Sequence, residues 1–220
     1  DGIEALLRDK QFKNRILKPS TQQSVVLSID IRGSTELMLI SCDPRKFAEF
    51  IMGLSLALGD IVKKNFGIFD KFTGDGILAF FPEGYSGNDS VYLALQTAIE
   101  CQKFFVDYYN ARKNYFSIVR SDVGLGIGID YGQVEVVQLD NAITVIGRPV
   151  VYACRFSGAP AGTIMLNHPA YEVASNKYGE YFDFTEERMT IKHDGEVLAY
   201  TVRRSKIGNT DTKLPEWLKK

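Results

Sequence analysis

Two aspartates, Asp30 and Asp75, each lie beside a hydrophobic run of strand length. Asp30 follows the run at residues 24–29, and Asp75 precedes the run at residues 77–81 after a Thr-Gly turn signal. Two carboxylates that converge can hold hard cations such as Mg²⁺, which prefer oxygen ligands. Two such ions about 4 Å apart can clamp an in-line displacement at phosphorus. The alternative is that each aspartate only closes a turn, which is its common role there.

The composition argues against several classes of function. The chain has 220 residues and a formal net charge of −1, so no global basic field favours nucleic acid. Its two histidines, His168 and His193, are too few for a zinc or histidine-based catalytic cluster. The three cysteines, Cys42, Cys101 and Cys154, lack metal-type spacing and are typical of a reducing cytoplasm. We expect Cys154 to be a core thiol.

The sequence predicts a cytoplasmic protein without a membrane span. Its longest apolar helix candidate, residues 47–62, contains Glu49, Gly53 and Asp60, which is typical of a core helix. No signal peptide is recognisable, and residue 1 is Asp.

The spacing of apolar residues predicts alternating strands and helices with frequent hairpins. Strands are predicted at residues 24–31, 68–71, 77–81, 123–129, 134–139, 143–146, 163–166, 181–184 and 196–203, with a turn at Gly132 and a loop at 82–88. Helices are predicted at residues 3–17, 44–65, 89–113, 147–157 and 169–177. This order indicates an α+β fold, a mixed β-sheet with helices mainly on one face. The predicted organisation is an N-terminal helical extension (1–21), one α+β domain (22–204) and a C-terminal tail (205–220).

Glycines at positions 124, 126 and 128 share one face of a predicted strand. Their spacing superficially resembles a dinucleotide-binding loop, but the next segment is another β run rather than the helix which that motif requires. We therefore expect these glycines to let a helix or another backbone pack closely.

Five segments, taken in order, resemble the catalytic domains of class III nucleotidyl cyclases over roughly residues 22–203. They are Asp-Ile-Arg-Gly-Ser-Thr at 30–35, Lys-Phe-Thr-Gly-Asp at 71–75, a central β-hairpin at 126–134, Gly-Arg-Pro-Val-Val-Tyr-Ala-Cys-Arg at 147–155 and a late hairpin at 191–196. The resemblance implies a head-to-tail homodimer whose active sites lie between the two chains.

The resemblance also implies a chemistry and a set of site residues. Asp30, Asp75 and the carbonyl of Ile31 would hold two Mg²⁺ or Mn²⁺ ions per active site. The ribose 3′-oxygen of a nucleoside triphosphate would attack the α-phosphorus and release pyrophosphate, giving a 3′,5′-cyclic nucleotide. Phosphoryl transfer of this kind depends on positioning and charge neutralisation rather than on a histidine base.

Two further groups are implied to contact the phosphates. Backbone amides of the loop Arg32, Gly33, Ser34 and Thr35 would cradle the terminal phosphates. Arg155 of the partner chain would stabilise charge on the α-phosphoryl group, and Lys192 of the partner would pair with the triphosphate. For Arg155 and Lys192 the alternative is a solvated surface charge.

The residues aligned with the base pocket are ambiguous. Lys71 and Thr144 occupy the two positions that read the base in purine cyclases, and a lysine–threonine pair is of the adenine type. The asparagine that orients the ribose in the family is Val151 here, which offers no hydrogen bond. Either the domain is impaired, or the nucleotide binds differently.

A narrower resemblance favours a different nucleotide. Residues 29–39, 69–82 and 147–155, including the missing asparagine, resemble the pyrimidine cyclases of bacterial Pycsar anti-phage defence. Those enzymes make cyclic UMP or cyclic CMP, which activates a separate effector protein. We expect UTP in preference to CTP. Pocket residues near Leu37, Phe47 or Phe50 are candidates for reading the smaller base, although for each of the three taken singly a core position is the favoured alternative.

Two alternatives remain at this point. One is an adenylate cyclase that makes cyclic AMP, favoured by Lys71 and Thr144. The other is a catalytically dead domain that binds a nucleotide or a partner, favoured by Val151. Retention of Asp30 and Asp75 argues against the dead domain, because two adjacent carboxylates repel one another without a metal.

Overall fold

The computed structural model describes residues 10–17, 21–139, 142–191 and 194–205. The strands are β1 (Gln22–Arg32), β2 (Ile68–Phe72), β3 (Ile77–Pro82), β4 (Gly124–Leu139), β5 (Ala142–Ile146), β6 (Ile164–Asn167), β7 (Phe182–Ile191) and β8 (Gly195–Arg204). The helices are α1 (Lys10–Leu17), α2 (Ser34–Leu39), α3 (Pro44–Lys64), α4 (Glu83–Ser86), α5 (Ser90–Asn110), α6 (Arg148–Phe156) and α7 (His168–Tyr178). The predicted N-terminal helix is thus seen at its C-terminal end, and its first part lies outside the described residues.

The strands form one mixed eight-stranded sheet in the order β2-β3-β1-β4-β6-β8-β7, with β5 paired to β4. β1 lies at its centre, antiparallel to both β3 and β4. The pair β4 and β6 is parallel, which requires the crossover through β5 and α6. The expected α+β architecture is therefore confirmed.

Alternate residues of β1 build the cores on the two faces of the sheet. Val25, Leu27 and Ile29 are fully buried in the larger core, together with residues of α3, α5 and α7. Val26 faces a smaller core that includes residues of β3, β4 and β5. The helix α6 packs on this second face, against β4 and β1. The helices therefore lie mainly, but not entirely, on one face.

The predicted start of α3 is confirmed in detail. Its N-cap residue Asp43 accepts a hydrogen bond from the backbone N–H of Arg45 at 2.8 Å, and Pro44 occupies the first helical position. Such a cap accepts a hydrogen bond from one of the backbone N–H groups that have no partner within the first turn of a helix. Proline lacks an N–H group, so at this position it costs the helix no hydrogen bond.

Close packing at the glycines of β4 is confirmed as well. A Cβ added to Gly128 would lie 2.0 Å from the carbonyl oxygen of Ala153, and one added to Gly126 would lie 2.2 Å from that of Ser157. Both acceptors belong to α6 or to the residue that follows it. The glycines therefore set how closely α6 approaches the sheet.

Several local predictions were wrong. Gly132 makes no turn: β4 continues through it, and the hairpin is formed by β4 with β5 instead. β7 runs on to Ile191 rather than ending at Phe184, because it pairs with β8 along its whole length. Residues 82–88, predicted as a loop, include the single helical turn α4. The extent of these strands depends on tertiary pairing, which local periodicity does not encode.

Cys154 is exposed, so the expectation of a core thiol was wrong; Cys42 is exposed too, and Cys101 is buried. All three are free thiols. Burial raises the pKa of the Cys101 thiol. Among the described residues, no helix is long and apolar enough to cross a membrane.

Candidate active site

The end of β1 and the turn between β2 and β3 meet in one cleft of about 520 Å³. Pairing of Ile29 with Ile77 brings the two segments together, although Asp30 and Asp75 are far apart in sequence. The cleft is lined by the sequence-predicted residues Asp30, Ile31, Arg32, Gly33, Ser34, Thr35 and Asp75, together with Glu36, Arg120 and Asp122. The structure thus brings the predicted metal-binding and phosphate-binding residues into a single site.

Asp30 forms an ion pair with Arg32 on the same face of β1. The distance from Arg32 Nη1 to Asp30 Oδ2 is 2.6 Å, and both side chains are partly exposed. Gly126 lies opposite Asp30 in β4, and a Cβ there would lie 3.0 Å from Arg32 Cδ. Glycine at this position therefore leaves room for the Arg32 side chain beside Asp30.

Asp75 is held from the other side of the cleft by Ser34, whose hydroxyl donates a hydrogen bond to Oδ2 of the carboxylate. Ser34 follows Gly33, which has a φ of 82° in the left-handed region that glycine adopts without a steric penalty. The sharp turn at Gly33 ends β1 and starts the short helix α2, which points Ser34 towards Asp75.

Acidic side chains outnumber basic ones in the cleft. The acidic side chains are Asp30, Glu36, Asp75 and Asp122, and the basic ones are Arg32 and Arg120. Within the described ranges, no group of three or more His, Cys, Asp or Glu side chains is arranged to hold a metal ion. Two carboxylates of an electronegative cleft nevertheless provide the oxygen donors that Mg²⁺ and Mn²⁺ prefer when substrate phosphates complete their coordination.

Sequence reasoning missed Arg120 and Asp122. Arg120 Nε donates to Asp122 Oδ1 at 2.8 Å, and its Nη2 donates to the other carboxylate oxygen. This bidentate pairing lowers the pKa of the Asp122 carboxyl. The backbone N–H of Arg120 donates to the hydroxyl of Tyr109, and that hydroxyl donates to the Arg120 carbonyl. The loop is positioned by a side chain of α5, so no local sequence signal marks it.

The two predicted base-reading residues, Lys71 and Thr144, do not line this cleft but contact each other. Lys71 Nζ donates to Thr144 Oγ1 at 3.2 Å, and Thr144 Oγ1 donates to Asp70 Oδ2 at 3.0 Å. Lys71 Nζ also lies 3.6 Å from Asp70 Oδ2. The contact joins β2 to β5 across the edge of the sheet. Asp70 directly precedes Lys71, but the sequence analysis assigned it no role.

Leu37 has no exposed surface and packs in the large core with Phe50. The structure therefore removes both residues from the candidate base pocket, because a nucleotide cannot reach them. Phe47 is partly buried against the same core.

Helix α6 presents Val151, Cys154 and Arg155 to solvent. Val151 is 51% exposed, and Arg155 does not line the cleft that holds Asp30 and Asp75. Lys192 lies outside the described residues.

A second cleft lies beside the N-terminal half of α6 and contains Asp130, Arg148 and Tyr152. Burial raises the pKa of the Asp130 carboxyl to about 7, although Arg148 and a hydrogen bond from Asn167 oppose the shift. Arg148 donates a hydrogen bond of 2.5 Å to the hydroxyl of Tyr152. The polar groups of this cleft are thus engaged with one another.

No family model matches the chain. It is 28% identical over 192 residues to a cytidylate cyclase from Escherichia coli, an alignment that covers 82% of this chain and 40% of that protein. It is 30% identical over 144 residues to an adenylate cyclase from Anabaena cylindrica, covering 63% of this chain and 28% of that protein. The chain thus spans well under half the length of either curated relative.

Solved structures match nearly the whole fold. The crystal structure of the adenylyl cyclase CyaB from P. aeruginosa superposes with a TM-score of 0.73 at 22% identity, covering 89% of this chain and 98% of that one. The guanylyl cyclase Cya2 gives a TM-score of 0.73 at 21% identity, covering 87% and 97%. A dimeric guanylyl cyclase domain from Blastocladiella emersonii gives 0.63 at 20% identity, covering 84% and 98%.

Proposed function

This chain has the fold of a class III nucleotidyl cyclase catalytic domain, and we propose that it converts a pyrimidine nucleoside triphosphate into the 3′,5′-cyclic nucleotide and pyrophosphate. One observation carries the proposal: two carboxylates from distant segments, Asp30 and Asp75, meet in one cleft beside a glycine turn. A capping role for each aspartate separately would not require them to converge.

In this reaction the bond from the ribose 3′-oxygen to the α-phosphorus forms as the bond from that phosphorus to the bridging oxygen of pyrophosphate breaks. The 3′-hydroxyl loses its proton. Asp30, Asp75 and the Ile31 carbonyl would hold two Mg²⁺ or Mn²⁺ ions, which supply charge neutralisation and acidify the hydroxyl. Arg32 is already bound to Asp30, so it is placed to move between that carboxylate and a phosphate oxygen.

The remaining positive charges are assigned to the phosphates. The loop from Arg32 to Thr35 lines the cleft and would bind the terminal phosphates through its backbone N–H groups. Arg155 would reach the α-phosphoryl group from the partner chain of a head-to-tail homodimer, and Lys192 would pair with the triphosphate. The exposure of Arg155 on α6, away from the Asp30 cleft, supports a site completed by a second chain.

The pyrimidine substrate is supported by two sequence likenesses. The motifs at 29–39, 69–82 and 147–155 resemble Pycsar pyrimidine cyclases, and the curated cytidylate cyclase aligns over 82% of the chain. The motif resemblance favours UTP as the substrate of this chain, whereas the likeness to the cytidylate cyclase favours CTP. An assay with both triphosphates decides between them. The resemblance to the Pycsar enzymes also implies that the cyclic nucleotide activates a separate effector protein in anti-phage defence.

Adenylate cyclase activity is the second candidate. It is favoured by the direct contact of Lys71 with Thr144, the adenine-type pair, and by the likeness to the Anabaena cylindrica protein. A guanine substrate has no comparable support, because a glutamate is expected in place of Lys71.

The test is incubation of purified protein with Mn²⁺ and each of ATP, GTP, CTP and UTP, with products resolved by mass. A cyclic pyrimidine nucleotide that disappears in Asp30→Asn and Asp75→Asn supports the proposal. Cyclic AMP alone would favour the second candidate. No product from any of the four would favour a domain that only binds nucleotide. The defence role would be tested by phage plating on cells that carry the effector with wild-type or Asp75→Asn protein.

A further inference from the structure

Asp70 and the two predicted base-reading residues, Lys71 and Thr144, form a closed network. Thr144 Oγ1 lies 3.0 Å from Asp70 Oδ2, and Lys71 Nζ lies 3.2 Å from Thr144 Oγ1. Lys71 Nζ is also 3.6 Å from the same oxygen of Asp70. Asp70 and Lys71 come from β2, next to an irregularity in its pairing with β3, whereas Thr144 comes from β5.

Burial decides which member of the network can move. The Asp70 side chain is 3% exposed, whereas that of Lys71 is 52% exposed. Taking a carboxylate out of water costs free energy unless it is paired and hydrogen-bonded, so Asp70 depends on these two partners. Asp70 is therefore the fixed end of the network, and Lys71 is the end that faces solvent.

The chemistry of the three groups determines the direction of each hydrogen bond. An ionised carboxylate only accepts, so the proton on Thr144 Oγ1 must point to Asp70. An ammonium only donates, so Lys71 must donate to Thr144. One lone pair of the Thr144 hydroxyl remains, and it can only accept. Lys71 keeps further N–H groups, and they can only donate.

We propose that Asp70 is the positioning residue that makes Thr144 an acceptor and holds Lys71, always a donor, next to it, and that this arrangement towards the nucleotide base sets base selectivity. The inference rests on the proposed function and concerns a residue that does not itself touch the substrate. Without Asp70 the Thr144 hydroxyl could rotate and present its proton, because a hydroxyl both donates and accepts.

The two pyrimidines differ in the property that Asp70 would control. Cytosine presents a donor at the exocyclic nitrogen on C4 and an acceptor at N3, whereas uracil presents an acceptor on C4 and a donor at N3. In any one pose, a fixed acceptor next to a fixed donor matches one base and leaves buried groups unpaired with the other. Such a mismatch is costly, which is how polar pockets discriminate between similar substrates.

The test compares kcat/KM for CTP and UTP in wild-type protein and in Asp70→Ala. We expect the ratio of the two values to shift towards the disfavoured pyrimidine by about tenfold or more, the usual effect of a hydrogen bond to a charged group. Asp70→Asn should keep the wild-type ratio within about threefold, because the amide oxygen still accepts from Thr144. A purely structural role would lower both values together and leave their ratio unchanged.

Two additions make the outcome decisive. If Asp70→Ala does not fold by circular dichroism, Asp70→Ser replaces it, because a serine hydroxyl no longer forces the direction of the Thr144 bond. Asp60→Asn, an exposed change on α3, is the matched control and should leave both rates unaltered. An unchanged CTP to UTP ratio in folded Asp70→Ala, or in Asp70→Ser where that variant replaces it, overturns this inference alone. Wild-type protein that cyclises neither pyrimidine overturns the proposed function, and this inference with it.

Discussion

The hydroxyl of Ser34 donates a hydrogen bond to the carboxylate of Asp75 across 41 positions of sequence. Ser34 stands in the turn that ends β1, whereas Asp75 stands in the turn between β2 and β3. The bond occupies one carboxylate oxygen of Asp75, a residue that lines the cleft. It therefore orients a group that the proposed chemistry needs in a defined position.

Removing this bond should slow turnover more than it weakens folding. In Ser34→Ala we expect kcat to fall by about tenfold, because a hydrogen bond to a charged group is lost. The concentration of Mn²⁺ giving half-maximal rate should rise in parallel. The measurement is a metal titration of the initial rate, with Ser121→Ala, an exposed serine next to the cleft, as the control. Equal rates for Ser34→Ala and wild type would mean that Asp75 needs no such support.

A site shared between two chains should be recoverable by mixing inactive variants. Asp30→Ala and Arg155→Ala each remove a different half of the site, so a heterodimer of the two retains one intact site. We expect a mixture to recover about a quarter of wild-type activity, as random exchange in a two-fold dimer predicts. The rate is measured after subunit exchange has been verified by a size tag. Activity no higher than that of the separate variants would contradict a composite site.

Arg120 should contribute to triphosphate binding. It lines the Asp30 cleft, and its guanidinium group is held there by the exposed Asp122, so it can turn to an incoming phosphate. In Arg120→Ala we expect KM for the nucleotide to rise by roughly fivefold or more, with a smaller change in kcat. Steady-state kinetics at two salt concentrations measure this. Arg203→Ala, an exposed arginine on β8, should leave KM unaltered.

Asp130 predicts a pH dependence of stability. Its pKa is about 7 in the folded chain against 3.8 ordinarily, because burial disfavours the charged form. Below pH 4 the Asp130 carboxyl is protonated in both the folded and the unfolded state. As the pH rises towards 7, only the unfolded state releases this proton, so the free energy of unfolding falls across this window. The free energy of unfolding of Asp130→Asn should therefore exceed that of wild type by up to about 4 kcal/mol at pH 8, and this difference should vanish near pH 4.

Urea unfolding at pH 4, 6 and 8 checks this prediction. The exposed Asp183→Asn on β7 is the control and should show no such pH-dependent gain. A constant difference between Asp130→Asn and wild type at all three values would show that the carboxyl titrates alike in both states.

Close packing of α6 predicts that Gly128 cannot be replaced. An alanine methyl group would meet the Ala153 carbonyl oxygen at 2.0 Å, so the helix or the strand must shift. We expect Gly128→Ala to lose about 1–3 kcal/mol of unfolding free energy or more. Activity should fall as well, since α6 carries Arg155. Gly158→Ala, whose nearest atom would be 3.1 Å away, should lose less by denaturant titration.

Patterns within a short stretch of sequence predicted those parts of the fold that depend only on residues adjacent in the chain. The helix α3 starts at Pro44 as expected, and the glycines of β4 permit the predicted close approach. The turn expected at Gly132 is absent because β1 and then β5 supply β4 with partners along its length. A long, doubly paired strand depends on residues remote in sequence.

The sequence by itself determined the periodicity of the elements and the chemical type of each site residue, because these follow from side-chain identity and local spacing. The tertiary structure decided which residues meet. It placed Leu37 in the core, brought Arg120 to the cleft through Tyr109, and joined Asp70 to Thr144 across the sheet edge. Such contacts depend on strand pairing and helix packing between distant segments, which side-chain identity alone does not specify.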